Sequence, residues 1–271
     1  MAAILERPAR THFEQRPAGI SDAEWKGRVD LAAFYRISAI YDYDDFLYTH
    51  ITARVPGPDK HFLINPFGLT FDEITASSLV KVDLDGNIIG KSEYGINYAG
   101  YVIHSAIHAV RDDAHWIAHF HTRDGMGASA HADGLLPISQ RALYIIPRLG
   151  YHDYEGVALN LDERERLVHN LGDNQFLLLR NHGTLALGRT PGAAWAAIYA
   201  LEEACSVQVA ALAGGRANVL IAPQAAQHEA VRQIAERPAA AIAAQGRKPH
   251  DQLAWEAVLR TVQRKLPGFD A

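Results

Sequence analysis

Hydrophobic residues recur at helical spacing in some segments of the chain and at strand spacing in others. Ser21 is followed three residues later by Glu24, a capping box, so we expect a helix from there to about Ser38. Further on, apolar residues at strand spacing form short runs bounded by turn-forming residues. The segments predicted to contain one or two strands each are FLYTHITARVPG, HFLINPFG, TASSLVKVDLDGNII, HWIAHFHT, ALYIIPRL and NQFLLLRNHGTLALG.

Helical spacing returns between these runs and again towards the end of the sequence. The predicted helices are NYAGYVIHSAIHAVRDD, DERERLVHNLG, TPGAAWAAIYALEEACSVQVAALAGG and, in the tail, roughly 223–243 and 251–265, while GMGASAHADG is a short helix or turn. Several strand pairs read as hairpins. The pattern therefore predicts an α/β fold with a mixed or mostly antiparallel sheet covered by helices.

The same pattern divides the chain into three parts. Residues 1–20 lack periodicity and are interpreted as an N-terminal arm. Residues 21–215 contain the alternating helix and strand patterns and are interpreted as the main domain. Residues 216–271 are interpreted as a helical tail whose apolar faces dock on the core or on a neighbouring subunit.

Composition narrows the function classes. The 271 residues carry a net charge of −5, which offers no basic surface for nucleic acid. The single cysteine, Cys205, excludes a disulfide within the chain and favours a reducing compartment. The first residues lack the apolar core of a signal peptide, and no run is long enough to span a membrane. We therefore expect a cytoplasmic protein that acts on a small molecule.

The segment HWIAHFH carries the first candidate chemistry. His119 and His121 are two residues apart, so on a strand their side chains share one face, while Trp116, Ala118 and Phe120 point into a core. Adjacent imidazoles repel each other when both are charged. When both are neutral, they can bind one cation together. This spacing predicts a metal site.

A mononuclear metal site needs a third ligand, and His182 is the best candidate. It lies at a turn between two apolar runs, and Gly183 is expected to permit an unusual backbone conformation there. The rival pair, His104 and His108, is spaced i, i+4 on a helix. We expect His108 to be solvated and His104 to reach a cleft. No ligand spacing marks the remaining histidines, which are His12, His50, His61, His115, His131, His152, His169, His228 and His250.

An ordered set of motifs spans roughly residues 25–215. The motifs are YTHITARV, FLINPFGLTFDEITASSLVKVDLDG, GINYAG, HSAIHAVRDDAHWIAHFHT, LLPIS, YHDYEG and RNHG. In this order they resemble the class II aldolase/adducin family, with the adducin head and its bacterial relatives as the nearest branch. The resemblance implies a three-layer α/β/α sandwich and a homo-oligomer, commonly a tetramer with active sites at subunit interfaces. It also implies a divalent metal on His119, His121 and His182.

The chain departs from the sugar-phosphate aldolases of that family at their acid/base and phosphate positions. The family glutamate four residues before the helix histidine corresponds to Gly100. The two phosphate-binding serines correspond to Tyr98 and Ala99, a Gly-Asn pair to 49–50, and a threonine before glycine to 67–68, so most of the phosphate-binding residues are replaced. A phosphorylated sugar is therefore not the expected substrate.

The remaining chemistry points to a metal that polarises a carbonyl and stabilises an enolate, as in retro-aldol cleavage or decarboxylation of a small hydroxy- or oxo-acid. Proton transfer then falls to another group. The candidates are Tyr98, His104, Tyr154 and Asp153, and the substrate-binding candidates are Asn65, Asn97 and Arg180. Arg180 suits a carboxylate.

Two alternatives stay open at this point. With iron in place of zinc, three histidines and open positions can bind substrate and O₂, as in a non-haem Fe(II) oxygenase that cleaves carbon–carbon bonds oxidatively. Some members of the family that the chain resembles are such enzymes. The usual ligand set for such iron would require an additional Asp or Glu. A non-catalytic scaffold like the adducin head is the other. Zinc is the first expectation for the cofactor, with Fe(II), manganese and cobalt as alternatives.

Overall fold

A single mixed sheet lies at the centre of the described chain. The computed structural model describes residues 16, 19–158, 160–236 and 248–271. In chain order the strands are β1 (His50–Arg54), β2 (Phe62–Ile64), β3 (Val80–Val82), β4 (Trp116–Phe120), β5 (Leu149–His152), β6 (Phe176–Leu179) and β7 (Gly183–Gly188). Their order is β3-β2-β1-β4-β7-β6-β5, and every neighbouring pair is antiparallel except β5–β6. The predicted mostly antiparallel sheet is confirmed.

Helices cover both faces of this sheet. They are α1 (Asp22–Ile40), α2 (Tyr98–Val110), α3 (Arg123–Ser129), α4 (Gln140–Ile145), α5 (Glu163–Leu171), α6 (Pro191–Leu212), α7 (Gln224–Ala235) and α8 (His250–Lys265). On one face, apolar residues of α1, α6 and α8 pack on the sheet through Trp116, Ala118 and Phe120, as predicted. On the other face, α2 and α5 cover Ile117 and its neighbours. This is the three-layer α/β/α sandwich.

Helix α1 begins where the capping box places it. The Ser21 hydroxyl accepts a hydrogen bond from the Glu24 amide at 3.1 Å, which satisfies one of the free donors of the first turn. The helix continues to Ile40, two residues beyond the predicted end.

The strand predicted over ALYIIPRL is wrong. Ser139 caps a helix instead, because its hydroxyl accepts from the Ala142 amide at 3.1 Å, and α4 buries Ala142 and Ile145 at helical spacing. Pro147, which lacks an amide hydrogen, falls in a short 3-10 turn. Strand β5 starts only at Leu149, the last residue of that segment.

The exposed face of α2 also differs from the prediction. His108, expected to be solvated, is fully buried, and its ring stacks on Phe62 with 4.9 Å between centroids. Val110, an apolar residue at the end of the helix, is 56% exposed. Polar residues on the strand beneath α2 supply partners for the buried histidines, which apolar periodicity alone does not reveal.

The tail packs on the sandwich through α8. The Trp255 indole donates to Asp30 at 3.0 Å, and its ring lies 5.9 Å from that of Phe34, so the helix shares the core of α1 and α6. The second part of the predicted 223–243 helix and nearly all of the N-terminal arm lie outside the described residues. Among the described helices, none is long and apolar enough to cross a membrane.

Candidate metal centre

The sheet brings together the three histidines predicted as ligands. His119 is the fourth residue of β4, His121 follows that strand directly, and His182 precedes β7. Pairing of Phe120 with Thr184 sets these segments side by side. One ring nitrogen from each histidine lies within 4.8 Å of the others, and His119 is fully buried.

The turn that carries His182 is fixed by its two neighbours. Asn181 adopts the left-handed conformation, with φ of 57°, which asparagine tolerates better than most residues. Gly183 does not need a positive φ, contrary to the prediction. It is required for another reason: a Cβ there would overlap the Phe120 carbonyl oxygen, so only glycine allows β7 this close to β4.

Hydrogen bonds at the far edges of two rings leave their Nε2 atoms free. His119 Nδ1 lies 2.8 Å from the Thr184 carbonyl, and His121 Nδ1 lies 3.0 Å from the Asp45 carboxylate. Both partners are acceptors, so each Nδ1 carries the hydrogen and each Nε2 presents a lone pair. The two Nε2 atoms are only 3.0 Å apart. Two facing lone pairs repel unless a cation or a proton lies between them.

The local electrostatics favour the neutral form of the His119 and His182 rings. Burial, together with the nearby His121 and His182 rings, lowers the pKa of His119 well below its usual value. Burial and His121 lower the pKa of His182 to about 4. Neutral imidazole is the form that binds Zn²⁺, Fe²⁺, Mn²⁺ or Co²⁺, so this donor set fits a divalent cation.

A buried carboxyl group connects the segments that hold the three histidines. Glu202 on α6 accepts a hydrogen bond from Thr122 at 2.5 Å and another from Thr184. Thr122 follows His121, and the Thr184 carbonyl faces His119. Burial raises the pKa of Glu202 to about 7, although both threonine hydroxyls favour its ionised form.

His50, to which the sequence assigned no role, lies beside the three histidines. It pairs with His119 across β1 and β4, and the two ring centroids are 5.0 Å apart. Its ring fills the space in front of Gly100, because a Cβ on that glycine would lie 2.7 Å from His50 Nε2. The position where related aldolases carry an acid is thus replaced in space by an imidazole from another element.

Three of the four predicted proton-transfer residues lie at different distances from this centre. Tyr154 is exposed, and its ring centroid is 6.4 Å from that of His182. Tyr98 is also exposed, at the start of α2 against Tyr101. His104 is fully buried behind His50, with its Nε2 2.9 Å from His50 Nδ1.

The predicted substrate-binding residues already have partners in the fold. Asn65 is buried, with its side-chain oxygen 2.9 Å from the Tyr35 hydroxyl. Asn97 caps α2 by accepting from the Ala99 amide at 3.1 Å. Arg180 donates to the His131 carbonyl at 2.8 Å, and its guanidinium lies over the ring of Tyr151.

The residues that the sequence missed had weak signals. His50 and Thr52 alternate with the core residues Ile51 and Ala53, a strand pattern with one polar face. Glu202 is an acid inside a long run of small apolar residues. Neither pattern by itself indicates proximity to His119, because that depends on strand pairing and helix packing.

Comparison with known proteins identifies relatives over most of the chain. Residues 29–209 match the model of the Class II Aldolase and Adducin N-terminal domain. A Caulobacter vibrioides protein described as "Putative aldolase class 2 protein" is 54% identical over 250 residues, covering 92% of this chain and 94% of its own length. Rat alpha-adducin is 45% identical over 199 residues, which are 72% of this chain and 27% of the adducin.

Solved structures agree with the fold. The crystal structure of an aldolase II superfamily protein from Pseudomonas syringae is similar with a TM-score of 0.84 and 49% identity, covering 93% of this chain and 98% of that one. An L-fuculose 1-phosphate aldolase from Glaciozyma antarctica is similar with a TM-score of 0.74 and 24% identity, covering 93% and 96%. At that identity the second likeness concerns the fold alone.

Proposed function

Because the chain belongs to the family of class II aldolases and adducins, we propose that it is a metal-dependent carbon–carbon lyase of the retro-aldol or decarboxylation type. The substrate class is a small, non-phosphorylated hydroxy- or oxo-acid or carbonyl compound. The cation is held by His119, His121 and His182, and zinc is the metal we propose first.

One observation carries the metal assignment. The Nε2 lone pairs of His119 and His121 face each other at 3.0 Å, and acceptors at both Nδ1 atoms keep these lone pairs free. A bound divalent cation relieves that repulsion and supplies Lewis acidity towards a carbonyl oxygen. The chain's own contribution is to orient the rings: Thr184 and Asp45 fix their tautomers.

The proposal of a non-phosphorylated substrate rests on what stands at the family's phosphate positions. Tyr98, Ala99 and Phe67 stand where the resemblance places two serines and a threonine, and none of them carries a positive charge that would bind a phosphate. The hydroxyl of Thr49 is buried without a hydrogen-bond partner in the described structure, so it is not available to a ligand. We therefore place the substrate among carboxylates and neutral carbonyl compounds.

Hydrogen–deuterium exchange tests this proposal without knowledge of the second product. Retro-aldol cleavage and decarboxylation both end with protonation of an enolate, and the reverse of that step removes a proton next to the carbonyl of the product. We expect zinc-loaded protein in D₂O to exchange the C3 protons of a small 2-oxo acid such as pyruvate, as followed by proton NMR.

The matched variants are His119→Ala and His115→Ala. His115 is an exposed histidine just before the same strand, so its loss should leave exchange unchanged, whereas loss of His119 should abolish it. Exchange that survives in His119→Ala would contradict the proposed role of the metal. Failure of a panel of 2-oxo and 3-hydroxy acids to react would contradict the substrate class.

The adducin similarity supports a second candidate, a non-catalytic scaffold. Rat alpha-adducin is 45% identical over the shared region, so a family fold also serves proteins of that name. Protein that binds no metal and exchanges no protons would favour this candidate. The oxygenase alternative needs a carboxylate ligand, and the ligand group found among the described residues holds histidines only.

A further inference from the structure

Four buried polar side chains form a continuous hydrogen-bonded row between β1 and α2. His50 Nδ1 lies 2.9 Å from His104 Nε2, and His104 Nδ1 lies 2.6 Å from the Thr52 hydroxyl. The same hydroxyl lies 2.8 Å from His108 Nε2. These four residues, which we name the histidine row, are each at most 2% exposed.

The row ends at the candidate metal centre. His50 is the cross-strand partner of His119, and its ring occupies space that any side chain at position 100 would take. With Nδ1 bonded to His104, the opposite edge of the ring, Nε2, has no hydrogen bond to a described residue. This edge is the one available to a molecule bound at the centre.

The hydrogens in the row can be ordered in two directions. Thr52 has one hydroxyl hydrogen and two imidazole neighbours, so in a fully bonded row it donates to one and accepts from the other. If it donates to His108, the free Nε2 of His50 is bare. If it donates to His104, then His104 donates to His50 Nδ1, and His50 Nε2 carries the hydrogen.

The far end of the row decides between these directions. His108 Nδ1 is buried and has no hydrogen-bond partner among the described residues. The Ala114 backbone offsets part of the effect of burial on the pKa of His108 without reaching hydrogen-bond geometry at that atom. An N–H buried without an acceptor is more costly than a bare ring nitrogen, so the hydrogen belongs on Nε2 of His108. Thr52 therefore donates to His104.

We propose that the histidine row holds His50 as a hydrogen-bond donor, through Nε2–H, to an oxygen of a ligand bound at the metal centre. His50 is the ligand-binding residue, and His104, Thr52 and His108 are positioning residues. This inference rests on the proposed metal-dependent function and deepens it. It selects ligands that place a carbonyl, carboxylate or alkoxide oxygen against His50.

The first test reads the tautomer directly. Long-range ¹H–¹⁵N NMR of zinc-loaded protein labelled with [¹⁵N]histidine, assigned by the signals lost in His50→Gln, should show the hydrogen of His50 on Nε2. Thr52→Val leaves His104 Nδ1 without a partner, and by the same rule the hydrogen of His104 stays on Nε2, so the tautomer of His50 should not change. Thr49→Val makes the same substitution on the same segment at a hydroxyl without a partner, and it should not change that tautomer either. A bare Nε2 of His50 in the wild type would overturn the proposal.

The second test uses Co²⁺ and acetohydroxamate, a ligand with two oxygens, and follows both by visible absorption. We expect His50→Ala to weaken acetohydroxamate binding about tenfold, the scale of one hydrogen bond to a charged group. Its Co²⁺ affinity should change by less than the roughly tenfold that loss of a ligand or its partner causes. Thr52→Val should weaken acetohydroxamate binding in the same direction, and Thr49→Val should not.

The outcomes separate this inference from the proposed function. If wild-type protein binds Co²⁺ through His119 but His50→Ala binds acetohydroxamate as well as the wild type, only the role of His50 is overturned. If His50→Ala loses Co²⁺, His50 is a metal ligand rather than a donor, and the inference is wrong. If the wild type does not bind Co²⁺, both this inference and the proposed function fail.

Discussion

At the scale of single residues, the Glu202 carboxyl group accepts hydrogen bonds from Thr122 and Thr184, two threonines close in sequence to the candidate ligands. It is buried on α6 and lies next to Glu203 in sequence, with Asp124 as a further negative neighbour. Because burial raises its pKa to about 7 from 4.5, the folded protein binds this proton more tightly than the unfolded chain does. The resulting stabilisation is fully present below pH 4.5 and is lost as the pH rises through about 7.

Glu202→Gln should remove this pH dependence. We expect the free energy of unfolding of the wild type relative to Glu202→Gln to fall by up to about 3 kcal/mol between about pH 4.5 and 8. Urea unfolding of metal-free protein measures it. Glu203→Gln, one residue along the same helix and less buried, should keep the wild-type slope. Equal slopes for the wild type and Glu202→Gln would show that Glu202 does not carry the shift.

The sequence predicts His119 and His121 as site residues but not His50 and Glu202, for a physical reason. His119 and His121 are neighbours through strand geometry, so a local pattern suffices. The contribution of His50 depends on the pairing of β1 with β4, and that of Glu202 on packing of α6 against the turn. Both are contacts between segments far apart in sequence, which local periodicity does not encode.

At the scale of elements, the close contact between α6 and α8 predicts how a substitution in α6 changes stability. Gly192 lies in the first turn of α6, where a Cβ would overlap the Asp251 carbonyl oxygen of α8. Gly192→Ala should therefore push the helices apart and lower the free energy of unfolding by about 1–3 kcal/mol. Gly27→Ala in α1 is the matched control, since no atom approaches that position within 4 Å. It should stabilise the protein by about 0.5–1 kcal/mol, the helix propensity difference.

Urea unfolding of both variants distinguishes a tight contact from a general effect of alanine. If Gly192→Ala stabilises the protein as Gly27→Ala does, α8 is not held against α6 in the way the structure describes.

Elements with long periodic patterns were easier to predict than short ones. The predicted long helices are present as α1, α2 and α6, because each repeats its apolar spacing over several turns. The ALYIIPRL segment is short and almost entirely apolar, so it fits either period, and a serine cap decides for the helix. In DLDGNII, Asp83 accepts from the Asp85 and Asn87 amides, and only a single bridge between Val82 and Ile88 replaces the expected second strand.

Exposed aromatic residues suggest an assembly at the scale of the whole molecule. Phe46, Tyr48, Phe67, Tyr98 and Tyr154 are all at least 45% exposed. Phe46 follows Asp45, the partner of His121, and Tyr154 lies beside His182. Isolated exposed apolar residues are ordinary, but a cluster of them is typical of an interface. We propose that they are covered in a homotetramer whose sites lie at subunit boundaries.

Light scattering coupled to size-exclusion chromatography measures the assembly. We expect a mass of about four times the 29.8 kDa of one chain. Phe46→Ser should lower that mass, and Leu220→Ser, an exposed position elsewhere, should not. A wild-type monomer at micromolar concentration contradicts the proposed assembly.

Metal content tests the central claim most directly. Elemental analysis of untagged protein, purified in air and again anaerobically after iron loading, should find close to one divalent cation per chain in the wild type and in His115→Ala. His119→Ala should contain none, because the pair of facing Nε2 lone pairs is then lost. A cation retained unchanged in His119→Ala, or no cation in any wild-type preparation, would contradict the account.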